Sequence, residues 1–165
     1  MRSTVAELYD LFNDLGRRIN FFDKEIDAVF RQSEACQRIA KVKGIAPKTA
    51  TVVVAAIGKE TEFKNGRHFA AWLGLVPRQH SSGNKQVLMN MTKKDDKHLR
   101  TLFIHGARAV VRVVMNNNDG SLHQWVNQLK KRRGFNKTTV TVANRNARII
   151  WSMLRNDTEY QAVGS

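Results

Sequence analysis

Between Arg78 and Arg100 the chain crowds hydroxyl, imidazole and cationic side chains that can act on a phosphodiester. The run Arg78-Gln79-His80-Ser81-Ser82-Gly83-Asn84-Lys85 is followed by Lys93, Lys94 and Arg100. A serine hydroxyl attacks phosphorus only when a base or a strong electrostatic environment activates it. His80 stands near in sequence. Arg78, Lys85, Lys93 and Arg100 carry charge that can neutralise a phosphodiester and its transition state. Ser-Ser-Gly is equally the composition of a plain turn. On residue types alone, a nucleophile and a turn both stand.

Two other segments could hold phosphate. Lys130-Lys131-Arg132-Arg133 closes a helical pattern. Cations at a helix C-terminus complement its dipole, but four in a row exceed that need and point to phosphate contact. Residues 39–57, IAKVKGIAPKTATVVVAAI, place a glycine turn before an apolar helix that starts at Pro47. This pattern resembles a helix–hairpin–helix motif, with Gly44, Lys48 and Thr49 at the positions that would face a phosphate. Free N–H groups at the helix start and the Lys48 charge would form the cradle. Ala46 stands where the motif has its second glycine. A purely structural turn is the other reading. Arg145, Arg148 and Arg155 form a possible further basic stripe.

The charge balance names the kind of partner. There are 28 Lys+Arg against 14 Asp+Glu, a net +14 over 165 residues. That excess predicts a polyanion: nucleic acid first, an acidic membrane second. A hydrophobic content of 42% excludes a disordered basic tail. The lone Cys36 excludes a disulfide scaffold and a cysteine-based zinc site. No apolar run approaches the roughly 20 residues of a membrane span, and MRSTVAELYD lacks the apolar core of a signal peptide. The expectation is a cytoplasmic protein in contact with DNA or RNA, with no membrane partner. After residue 40 the acids are Glu60, Glu62, Asp95, Asp96, Asp119, Asp157 and Glu159. Only Asp95 and Asp96 are adjacent, and neighbours on a helix diverge by about 100°. No cofactor or metal site is expected in this chain.

These groups need elements to position them. Residues 1–40 carry six basic and seven acidic side chains, whereas residues 41–165 carry 22 and seven. The whole basic excess follows that step. Ahead of it, Val5, Leu8, Phe12, Leu15, Ile19, Phe22, Ile26 and Val29 are spaced alternately by three and four, an unbroken heptad seam. Ser3 or Thr4 would cap this helix. Such a spacing fits a helix that pairs with another chain or segment; an ordinary amphipathic helix packed on its own domain is the other reading, and neither does chemistry itself. Farther on, Phe69, Trp72 and Leu73 share one helical face. The 78–85 segment reads as a loop, and Thr92 as the cap of a helix buried through Leu99, Leu102, Phe103, Ala107 and Val110. Later helices carry Leu122, Trp125, Val126 and Leu129, then Val142, Ile149, Ile150, Met153 and Leu154. Trp72, Trp125 and Trp151 are expected in the core. The fold class is mostly α: a long N-terminal heptad, coiled-coil-like helix (residues 1–37), then a compact helical bundle (38–165) containing the helix–hairpin–helix-like motif.

The strings GIAPKTATVVVAAIG, FKNGRHFAAWLGLVPRQHSSG and the run from Thr92 to Arg100 closely resemble one known domain. It is the C-terminal domain of the IS-one-ten type insertion-sequence transposases and of the Piv-type (DEDD) DNA invertases. The resemblance runs from about Arg38 to Tyr160, and LGLVP…SSG…K is its most specific part. It implies cutting and rejoining of DNA at specific sites. It implies a RuvC-like domain with four Mg²⁺-binding carboxylates, which this chain lacks. The serine before a glycine is the family's nucleophile; here that is Ser82, with Ser81 as the fallback. Some members choose their sites with a structured guide RNA. The expected function is therefore the serine-bearing part of a transposase or recombinase, inactive by itself, binding DNA and forming a homo-oligomer through its N-terminal helix. The alternatives are a non-catalytic helix–hairpin–helix DNA-binding module and a dimerisation fragment.

Overall fold

The computed structural model describes residues 2–57, 63–82, 85–91, 96–114 and 120–161, with residues 2–3, 78–82 and 85–91 described at the level of the backbone. Among these residues there are seven helices and one β-hairpin. The chain opens with α1 (Arg2–Gln32), α2 (Glu34–Ala40), α3 (Pro47–Ile57) and α4 (Gly66–Trp72). The hairpin β1 (Pro77–Ser82) and β2 (Lys85–Met91) follows, then α5 (Lys97–Val114), α6 (Ser121–Arg133) and α7 (Phe135–Asn156).

The mostly helical class and the long leading helix are as expected. α1 is already helical at Arg2, so Thr4 lies inside its first turn rather than capping it. Ser33 separates α1 from α2, and its Oγ accepts the Cys36 N–H at 3.3 Å. The last turns of α1 pack on α2 and α3, with Ile26 and Phe30 half-buried. Before them the seam is bare: Val5 is 66% exposed and Phe12 72%.

α7 is the spine of the bundle. It packs on α5, α4 and α6 and buries Val142, Ala143, Ala147, Ile150 and Met153. α5 answers with Leu99, Phe103, Ala107, Val110, Val111 and Val114, one continuous stripe at helical spacing. Phe63, Phe69 and Phe103 stack edge to face at the centre, with ring centroids 5.2 and 6.4 Å apart in sequence order. Two asparagines of α7 fasten distant turns: Asn146 donates to the Lys43 carbonyl at 2.9 Å and Asn144 to the Leu75 carbonyl at 3.2 Å.

Three expectations need correction. The 78–85 segment is not a loop. Its two sides pair as antiparallel strands around residues 83 and 84, which lie outside the described residues. The β-prone stretch Gln86-Val87-Leu88-Met89 supplies the second strand. α5 is capped by Asp96, whose Oδ1 accepts the Leu99 N–H at 2.9 Å, while Thr92 lies outside the described residues. A carboxylate serves there because it meets both the free N–H groups and the dipole. Finally, Trp72, Trp125 and Trp151 are half-buried, packed against the core rather than in it.

Candidate nucleic-acid interface

The hairpin brings the serine segment into register with its cations. Ser82 is the Cα partner of Lys85 and Ser81 that of Gln86, at the closed end of the ladder. Arg78 sits farther down β1, where the register shifts between Pro77 and Gln79. Lys93 and Lys94 lie outside the described residues. Arg100, in the first turns of α5, is half-buried, and its Nη1 is fully enclosed without a hydrogen-bond partner. A buried guanidinium nitrogen left unpaired is costly, and Arg108 Nε on the same helix is enclosed in the same way.

The glycine turn looks different in three dimensions. Gly44 has φ +92° and lies against Gly106 of α5. A Cβ on Gly106 would stand 1.8 Å from the Gly44 carbonyl oxygen, so both glycines are needed for this close crossing. Lys48 Nζ is 2.6 Å from Asp23 Oδ1 on α1. Thr49 is buried. Each of the three candidate phosphate contacts thus has a structural partner or position of its own.

At the other end of the bundle, Lys131, Arg132 and Arg133 are exposed in the last turn of α6 and Lys130 is half-buried. Gly134, with φ +76°, ends the helix and donates to the Lys130 carbonyl at 2.8 Å. The same Gly134 precedes α7, so the basic run sits at the corner between the two helices.

Acids offset little of this charge. Asp157 pairs with Arg38, and Glu159 Oε2 lies 2.6 Å from Lys41 Nζ. The hydrogen bond and charge of Arg38 hold the Asp157 carboxyl below its ordinary value. Among the described residues no three His, Cys, Asp or Glu side chains gather as a metal site. Asp157 and Glu159 are engaged in ion pairs and Asp96 in a helix cap. No helix among the described residues is long and apolar enough to cross a membrane.

A feature that the sequence did not single out lies between α4, α6 and α7. It is an open cleft of about 830 Å³, lined by Arg67, Trp125, Arg145, Arg148 and Trp151 among others. Arg145 and Arg148 of the possible arginine stripe were the available signal, while apolar patterning placed the tryptophans beside them in the core.

A family model described as the transposase IS116/IS110/IS902 family matches residues 36–124, a range that holds the glycine turn, the hairpin, α5 and the start of α6. The chain belongs to this family. A probable family 20 transposase of Pseudomonas aeruginosa is 45% identical over 161 residues, 98% of this chain and 47% of that protein. The transposase for insertion sequence element IS1111A of Coxiella burnetii is 40% identical, over 98% of this chain and 44% of that protein. A pilin gene-inverting protein of Moraxella bovis is 40% identical over 45 residues, 27% of this chain. The chain spans about half the length of the curated relatives it matches. The alignments to the first two family members also include nearly all of α1, which the resemblance read from the sequence did not reach.

Proposed function

We propose that this chain is the DNA-binding, serine-bearing part of a transposase that cuts and rejoins DNA, with Ser82 as the nucleophile. The observation that carries this is the hairpin: the serine before Gly83 stands at its closed end, in register with Lys85, inside the family's matched range. In the step, Ser82 Oγ bonds to phosphorus and the bond from phosphorus to one sugar oxygen breaks. The hydroxyl proton passes to a base and the departing oxygen takes one up. Lys85, Arg78, Lys93 and Arg100 supply charge against the phosphorane, where preorganised cations act most strongly.

Lys94 and the Lys130–Arg133 corner bind duplex backbone, which positions DNA without reading its sequence. Gly44, Lys48 and Thr49 contribute there only if the Lys48–Asp23 pair opens. The Mg²⁺-binding RuvC-like domain belongs to the part of the protein outside this chain, without which cleavage does not occur. Residues 1–37 associate copies through the bare seam of α1, and residues 38–165 hold the DNA. A structured guide RNA is a further partner carried over from the resemblance.

The test uses a full-length family protein containing this segment, its DNA site and Mg²⁺. A covalent protein–DNA adduct forms, Ser82→Ala abolishes it, and duplex affinity stays within about twofold. Loss in Ser81→Ala instead, with Ser82→Ala unchanged, moves the nucleophile by one residue and overturns the assignment. Duplex binding with no adduct in the unsubstituted protein returns the chain to a non-catalytic module.

A further inference from the structure

We infer that the cleft between α4, α6 and α7 is a binding site for single-stranded nucleic acid, taking an unstacked base between tryptophan and arginine with its phosphates on the flanking arginines.

The cleft floor is built by a tight contact. Gly66 begins α4 directly on α7, where a Cβ would stand 3.1 Å from the Arg148 backbone. That crossing leaves the wider space beside it, lined by three arginines and two tryptophans and, among the described residues, by no carboxylate. Its polar remainder is neutral: Asn65, Thr141, Asn144 and Ser152. Arg145 lies over the Trp125 ring, its Cζ 5.2 Å from the centroid. A guanidinium stacked on an indole is a flat, cationic wall of the kind on which a base packs.

The cleft continues at both ends. One hollow beyond Trp125 reaches Gln128 and Arg132, the latter in the basic corner of α6. Another follows Arg145, Ile149 and Ser152 to Tyr160, past Glu159, whose carboxylate is neutralised by Lys41. Cations and rings therefore alternate along one track: Arg132, Trp125 with Arg145, Arg148 with Trp151, and Tyr160. Single strands are held by such a pairing of a basic track with stacking platforms, because every base has a π face and every linkage a charge. A duplex keeps its bases stacked inside and offers only its backbone, so a concave site with rings in its walls is wasted on it. An acidic protein would use the arginines but not the rings.

The inference rests on the nucleic-acid reading above but not on Ser82. Its test is fluorescence polarisation with the full chain at about 150 mM salt, using labelled oligo-dT and oligo-U of about 15 nucleotides and a duplex of equal length. Both single strands bind and quench tryptophan emission. Trp125→Leu and Arg145→Gln each weaken single-strand binding by about tenfold, with duplex binding changed by less than about twofold. Arg148→Gln, on an exposed side chain, repeats the loss without disturbing packing. Lys24→Gln, on α1, removes the same charge and changes nothing. Similar affinity for both strands supports the site, and so does a preference for DNA or RNA, which then names its source. Equal losses for single strand and duplex, unaltered binding in Arg148→Gln, or displacement of oligo-dT by polyglutamate would overturn it. The Ser82 assignment is read by adduct formation and fails or stands separately.

Discussion

A methyl group at Gly106 is the smallest change that tests how the domain is held together. In the middle of α5 a glycine costs about 1 kcal/mol against alanine, so helix propensity alone would make Gly106→Ala stabilising. The Cβ, however, would stand 1.8 Å from the Gly44 carbonyl oxygen, which is backbone and cannot swing aside. Relieving that overlap means moving α5 off the turn, and overpacking of this kind costs about 1–3 kcal/mol or more. The clash outweighs the gain. Gly106→Ala therefore lowers the melting temperature by several degrees, about 2–4 °C per kcal/mol for a chain of this size; a variant as stable as the parent would refute the close crossing. The turn at Gly44 was legible in the sequence as a turn. Its partner was not, because Gly106 sits in an ordinary helical pattern and only packing brings it to Gly44. Ser82 and Lys85 were likewise visible as residues, but not as strand partners.

Among the elements, the tail after α7 is clamped back on α2 by two ion pairs, Arg38–Asp157 and Lys41–Glu159. Asp157 ends α7 in the left-handed conformation, with φ +53°, and Thr158 donates to Met153 at 3.1 Å. Its carboxyl is held below the ordinary value of 3.8, first by the hydrogen bond from Arg38 and then by that residue's charge. A depressed folded-state pKa means that the clamp contributes fully above 3.8 and is lost as pH falls through the still lower folded value. Both partners touch solvent, so its contribution is screened by salt. Exchange protection of the Thr158 amide should persist from neutral pH to below 3.8 and disappear in stronger acid. In Asp157→Asn that acid step is absent; a step that persists would exclude the ion pair as its source. The hairpin was also open to a closer reading of the sequence. Gly83-Asn84 between the flanking runs is a two-residue connection of the kind that joins antiparallel strands. The polar composition of 78–85 hid it, because turn residues and a short exposed strand end share the same amino acids.

For the molecule as a whole, charge and apolar surface are segregated. The bundle carries the cations, while α1 carries the exposed apolar seam. The first 21 residues of α1 extend for about 30 Å. Val5, Leu8, Phe12, Leu15, Ile19 and Phe22 all remain largely exposed along that length. A lone helix is marginal in water, and most helices owe their stability to packing of the apolar face. A second copy of α1 provides that cover by the same heptad pattern. Light scattering at about 100 µM should give at least twice the 18.8 kDa chain mass, and Ile19→Asp should return it to one chain. A parent chain that stays monomeric at that concentration rules out self-association through α1.

Local periodicity and composition lie in the sequence itself, and they sufficed for several conclusions. The alternating spacing of three and four marked α1. The apolar stripes marked α5 to α7, the charge step marked the change after residue 40, and the LGLVP…SSG…K string marked the family. Each depends on residues a few positions apart or on a simple count. The tertiary structure decided everything that depends on meetings across the chain. Asn146 holds the Lys43 carbonyl from 103 residues away. Lys48 of α3 meets Asp23 of α1, and Gly44 meets Gly106 of α5. Trp125 and Trp151 moved from expected core to the wall of a basic cleft. A helix's periodicity says which face is apolar, but how far neighbouring helices cover that face depends on their crossing, and here Trp125 and Trp151 stay half-buried on the wall of the cleft.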